Sequence, residues 1–317
     1  MPYVNTILKS IFGTRAARKT KIQTRAQTET PLCGLVALVE RAPPVASDDS
    51  PIFIFSAGWR SGSTLLQRLI CSDRATLIWG EPYDLCGIIQ TLARLPRPVT
   101  RDWPPEEYFV SGHDPDNLTA SWIANLYPSL PDFRDAMRAM LCRMFSDPTN
   151  EIGADRWGLK EVRFGLEEAI FLHWLFPNAK FLMIYRDVED AFRSYQNFSP
   201  AMSWYASWPH RPIFTPFAFA QHRQRLLNQF QEIARQTGGM IISYEELSQG
   251  AADLNAIAGY CGVDIDPSVL NNRVQGRNKT KILAGKGLAW MDKALLRAGT
   301  AYENRKGAVT DQQGYFP

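Results

Sequence analysis

The feature that most constrains this 317-residue chain is a series of short, unbroken apolar runs, each answered by a turn and a helical pattern. Ile52-Phe53-Ile54-Phe55 is the first; Gly58 and Gly62 follow, and then Leu65, Leu66, Leu69 and Ile70 recur at helical spacing. A strand that is apolar at every position is covered on both faces, which points to a parallel sheet between helical layers. The pattern continues with a strand at 76–79, helices near 85–95 and 132–145, a strand at 181–185, a helix at 187–197, a long helix at 217–236 and a strand at 239–243. The expected fold is therefore α/β, a three-layer α/β/α arrangement with a mainly parallel central sheet.

Composition narrows the function classes. A 45% hydrophobic content with 12% aromatics fills a sizeable core, so a globular protein is expected. Thirty-five Lys and Arg against 32 Asp and Glu leave +3, too little for a general nucleic-acid surface, so anionic ligands must meet local charge. No apolar stretch approaches the ~18 residues of a membrane span. Five scattered cysteines without a CxxC pair indicate neither a disulfide framework nor zinc, and His113, His173, His210 and His222 have no ligand spacing, so no metal is expected. Residues 1–50 read as a basic appendage, in which Val4, Ile7, Leu8, Ile11 and Phe12 mark one face of a short amphipathic helix. Residues 51–317 form the main domain in this reading. The stretches 96–105 and 198–219 are too long for ordinary connections and are candidate lids or pocket walls.

Two segments read as anion sites. In Ser56-Ala57-Gly58-Trp59-Arg60-Ser61-Gly62-Ser63-Thr64-Leu65, glycines allow a tight turn while the following helix points N–H groups into it. Gly58 and Gly62 are too close for a Walker A loop and no Lys follows Gly62, which disfavours a nucleoside-triphosphate motor or kinase. Arg186 stands where the 181–185 strand ends, with Ser194 eight residues on. Ligands of open α/β sheets bind at the carboxyl ends of strands, so both segments face one crevice and suit a ligand with two separated phosphates. Alternatively, the first segment is a capped turn and Arg186 pairs with Asp190.

Together these segments resemble the donor loops of sulfotransferases that use 3'-phosphoadenylyl sulfate (PAPS), a family with a P-loop-like fold. Arg60-Ser61-Gly62-Ser63-Thr64 matches the family's loop for the 5'-phosphosulfate, and Arg186 with Ser194 matches its 3'-phosphate element. Ser243-Tyr244-Glu245-Glu246-Leu247 is similar to the family's Y-E-[DE]-L segment, with Tyr244 near the adenine, and Arg305-Lys306-Gly307 resembles the R-K-G that closes on the 3'-phosphate. A solvated basic tail is the other reading of that last segment. The resemblance implies that Arg60 stabilises the bridging oxygen and that Leu65 belongs to the donor-binding run.

For the base, cytosolic members carry a K-x-H motif, but in Gly158-Leu159-Lys160-Glu161-Val162 a valine takes the histidine's place. Tyrosylprotein and heparan-type members place a Glu after the second strand, and Trp79-Gly80-Glu81-Pro82 fits, so Glu81 is the expected general base. Pairing of Glu81 with Arg60, or capping of the next helix, is the structural alternative; Glu161 is a second candidate base, and His113 and His210 are backups. Lys160 is the expected second cation on the transferred sulfonate, with Arg163 as its substitute. The resemblance implies PAPS as co-substrate, a small-molecule or glycan acceptor sulfated at a hydroxyl, amine or amide, and a cytoplasmic protein; a homodimer is left open. The competing classes are a nucleotide or small-molecule kinase and a non-catalytic binder of adenosine 3',5'-bisphosphate.

Overall fold

A computed structural model describes residues 32–83, 86–112, 116, 119, 125–196, 213, 215–271 and 288–311, with side chains to 306. The amphipathic helix expected near residues 4–12, His113, His210, and most of the aromatic stretch, 198–212, lie outside the described residues. Five parallel strands form the sheet: β1 (Ile52–Ser56), β2 (Thr76–Trp79), β3 (Arg156–Glu161), β4 (Lys180–Tyr185) and β5 (Met240–Ser243), in the order β2-β3-β1-β4-β5. Helices are α1 (Cys33–Arg41), α2 (Ser63–Ile70), α3 (Ile88–Arg94), α4 (Leu130–Leu141), α5 (Asp147–Glu151), α6 (Leu166–Leu175), α7 (Val188–Gln196), α8 (Pro216–Leu227), α9 (Phe230–Thr237), α10 (Tyr244–Ser248), α11 (Leu254–Cys261) and α12 (Trp290–Asp311). This is the three-layer α/β/α fold expected, with the sheet wholly parallel among the described residues.

Strand alternation divides the core into two chemically different layers. Phe53 and Phe55 of β1 face one way and join Trp157, Phe164, Phe176 and Phe181 beneath α1, α4, α6 and α9. Their rings meet edge-on or tilted, with Phe55 5.2 Å from Phe164 and Phe53 6.2 Å from Phe176 between ring centroids. Ile52 and Ile54 face the other way, joining Leu182, Ile184 and Ile242 against Leu66, Leu69 and Ile70 of α2 and Ile257 of α11. A third cluster at the sheet's margin, Ala191, Phe192, Phe219, Ala220 and Leu296, seats α8 and α12 on α7.

The long helix expected at 217–236 is two helices. Asn228 and Gln229 form a turn between α8 and α9, and Gln229 Oε1 accepts the Leu166 N–H at 2.8 Å, which satisfies an amide at the start of α6. The helix expected at 132–145 begins at Leu130 behind a Ser129–Asp132 capping box and passes into a π turn, Cys142–Ser146. Within the 1–50 segment, α1 buries Leu35 and Leu38 completely, and the Ala42 carbonyl accepts from Trp174 Nε1 at 2.6 Å. The 96–105 stretch is strapped to α1 through Arg41, which donates to the carbonyls of Thr100 (3.0 Å) and Pro104. All five cysteines are free thiols.

Candidate active site

Parallel strands end at one edge, and the segments leaving β1, β4 and β5 meet there. The first is the loop after β1. Ala57 N–H remains tied to the Ile184 carbonyl (2.9 Å), and Ser61 Oγ donates to the Ala57 carbonyl (2.9 Å), so the loop folds back over the strand end. Gly58, Arg60 and Gly62 all adopt left-handed backbone, at φ 79°, 65° and 94°. For Arg60 that conformation is strained, the kind of strain found at functional loops. Ser63 opens α2 without a side-chain cap, Thr64 is exposed in the first turn, and Leu65 packs against the aliphatic layer.

Gly62 is required for space as well as for φ. A Cβ there would fall 2.1 Å from Tyr244 Cδ2, because the edge of the Tyr244 ring closes on the loop. Arg186 lies over the face of that ring, with its Cζ 4.4 Å from the ring centroid. Arg186 also points Nη1 toward the Arg60 carbonyl at 3.5 Å. Asp190 pairs with Arg193 (2.9 Å) instead of with Arg186. Arg60 Nε donates to Ser194 Oγ at 2.9 Å, joining residues 134 positions apart. The loop after β1, the β4–α7 junction and the start of α10 therefore form one cluster.

A second pair forms at the ends of β2 and β3. Register sets Trp79 beside Leu159, so Lys160 at the end of β3 reaches Glu81 just past β2, with Nζ 2.7 Å from Oε1. Both are largely buried, at 9% and 23% exposure of their side chains. Glu81 thus has Lys160, and not Arg60, as its ion-pair partner. Glu161 points elsewhere: its carboxylate accepts from Val162 N–H (2.8 Å) and from Arg163 Nε and Nη2 (2.8 and 2.7 Å). Burial pushes the Glu161 carboxyl up and Arg163 pulls it back. A carboxylate and guanidinium that satisfy each other this closely make a structural pair.

Helix α8 adds residues that sequence reasoning left without a role. His222 packs on Trp59 of the loop (ring centroids 4.8 Å, 31° between planes), and Arg225 Nη2 approaches its Nδ1 at 3.2 Å. Burial first, then the charge of Arg225, pushes the His222 pKa down to about 4, so the ring is neutral at ordinary pH. Arg223 is buried beside Gly58. The signal available for it was an arginine on the apolar face of α8, at helical spacing from Phe219 and Leu226.

Arg305 and Lys306 stand far along α12, and Gly307 continues the same helix. They border a hollow of about 620 Å³ with Phe217, Ala298, Ala301 and Tyr302. Helix α12 reaches α7 nearer its start, where Lys293 and Arg297 lie 3.3 and 3.7 Å from Glu189. At 1.5 Å per residue Arg305 lies roughly 12 Å beyond Arg297, so this helix does not gather Arg305 to the contact with α7. Among the described residues no cluster of His, Cys, Asp and Glu is suited to hold a metal, and no helix is long and apolar enough to cross a membrane.

The carboxyl edge of the parallel sheet thus carries cationic side chains, a strained glycine-rich loop and a largely buried lysine–glutamate pair. The family model described as "Sulfotransferase family" matches residues 51–267, and the chain belongs to that family. Among curated proteins, none matches the chain in sequence.

Proposed function

We propose that the protein is a PAPS-dependent sulfotransferase that moves the sulfuryl group to a hydroxyl of a small-molecule or glycan acceptor and releases adenosine 3',5'-bisphosphate. The observation that carries this reading is the 2.9 Å bond between Arg60 and Ser194, which joins the loop suited to the 5'-phosphosulfate with the element suited to the 3'-phosphate. Arg60, Ser61, Gly62, Ser63 and Thr64 take the phosphosulfate, Arg186 and Ser194 the 3'-phosphate, and Tyr244 the adenine face.

In the transfer step, the acceptor oxygen forms a bond to sulfur as the bond from sulfur to the bridging phosphate oxygen breaks. Glu81 takes the acceptor's proton, and the bisphosphate leaves with the bond's electron pair. The Arg60 guanidinium, permanently charged, stabilises negative charge on the bridging oxygen but donates no proton to it. Lys160 neutralises the sulfonate and, bonded to Glu81 at 2.7 Å, aims that carboxylate.

Calorimetric titration with adenosine 3',5'-bisphosphate, ADP and adenosine 5'-phosphate, with and without Mg²⁺, tests the donor class. Metal-independent preference for the bisphosphate is expected. Preference for ADP with Mg²⁺, or no binding to any of the three, would overturn the proposal.

A further inference from the structure

Arg223 is the most deeply buried arginine near the site, with 4% of its surface exposed, yet its Nε has no hydrogen-bond partner. Among the described residues no carboxylate forms an ion pair with it. The acidic groups that act on it, Asp187 and Glu245, are already engaged by main-chain amides: Asp187 Oδ1 accepts from Asp190 N–H (3.0 Å) and Glu245 Oε1 from Asp187 N–H (2.9 Å). A buried, unsatisfied guanidinium is costly, and a protein gains nothing in stability by keeping one there.

Its position suggests what it awaits. A Cβ on Gly58 would lie 3.8 Å from both Cα and Cβ of Arg223, so α8 presses this residue against the start of the loop. Arg186 is close enough for the two like charges to repel, and Arg186 Nε is also buried without a partner. Burial lowers the Arg223 pKa only to about 10, which leaves it charged at neutral pH. Two guanidiniums on the segments that meet at this edge, each with a buried Nε lacking an acceptor, match an ester phosphate carrying two negative charges.

We propose that Arg223 is a further nucleotide-binding residue, whose guanidinium, with that of Arg186, takes the oxygens of the donor's 3'-phosphate and so sets the preference for a 3'-phosphorylated nucleotide. The proposal rests on the PAPS reading above. It is tested by measuring the affinities of wild type, Arg223→Met and Arg223→Lys for adenosine 3',5'-bisphosphate and adenosine 5'-phosphate, together with their thermal midpoints. Arg223→Met is expected to weaken bisphosphate binding ~30-fold, the scale of a lost charged hydrogen bond, with adenosine 5'-phosphate within about twofold. Its midpoint should hold or rise, because the substitution removes a buried unpaired charge. Arg223→Lys should retain most of the preference. An unchanged preference in Arg223→Met, or equal losses for both nucleotides with a lowered midpoint, would overturn the assignment and leave Arg223 structural. A wild-type protein without preference for the bisphosphate would overturn the donor reading itself, and this proposal with it.

Discussion

The arginines around α1 and those at the carboxyl edge of the sheet differ in how they are satisfied. Around α1 each meets a carboxylate: Arg41 with Glu106 (3.0 Å), Arg97 with Glu167 (2.8 Å), Arg101 with Glu40 (3.1 Å), and Arg138 with Asp49. At the sheet edge, Arg186 stacks on Tyr244 and reaches only a main-chain carbonyl, while Arg223 has a buried, unpartnered Nε. The first set closes the scaffold's charges within the scaffold; the second leaves hydrogen-bonding capacity for something else. Pairing with a carboxylate, more than the number of charges, separates framework from site; an unpartnered Nε alone does not, since Arg138 Nε is also buried without an acceptor although that guanidinium is paired with Asp49.

The strongest challenge to this contrast comes from Glu81, a carboxylate at the sheet edge that is paired, with Lys160. Glu81→Gln is expected to lower turnover ~10²-fold or more while leaving bisphosphate affinity within about twofold, the mark of a lost base. Steady-state kinetics with PAPS and an accepted substrate, beside calorimetry, checks it; turnover within a few-fold of wild type would make the Lys160–Glu81 pair framework.

A smaller effect sharpens the comparison directly. Arg186→Ala should weaken bisphosphate binding roughly 10- to 100-fold, whereas Arg97→Ala, breaking a partly exposed pair, should leave that affinity unchanged. Equal affinities for the two variants would erase the distinction between the regions.

The smallest effect concerns pH and His222. Its folded pKa of about 4 lies below the ordinary 6.5, so the unfolded chain takes up a proton between these values and the folded chain does not. Stability from this group is therefore intact above pH 6.5 and is lost as pH falls toward 4, by about 3 kcal/mol. Urea unfolding at stepped pH should show a flatter slope for His222→Gln over that window, and identical slopes would show that His222 is not held neutral by its contact with the loop.

Much of the fold was legible because its signals are local. The run Ile52-Phe53-Ile54-Phe55 marks a strand covered on both faces, and Gly58 and Gly62 mark the turn that follows it. The turn at Asn228 and Gln229 was not legible, since no Gly or Pro marks it and the partner of the Gln229 side chain is the Leu166 amide 63 positions away. Of the site, the segments bearing Arg60, Arg186 and Ser194 could be read from their spacing after strands, and Tyr244 from the family resemblance alone. Arg223 and His222 were harder, because a helix face shows its apolar residues plainly but not which loop it covers.

The sequence by itself determined the layered α/β plan and the residue types at each strand end, since periods of 2 and 3.6 and the turn chemistry of glycine act within a few residues. Only the tertiary structure decided that Lys160 meets Glu81 across 79 positions, that Arg60 meets Ser194 across 134, and that Arg223 is pressed beside Gly58 without a partner. Those meetings follow from the strand order β2-β3-β1-β4-β5, which no local window of sequence contains. They arise when the aromatic and aliphatic layers close on the two faces of the sheet and bring its carboxyl ends into one edge.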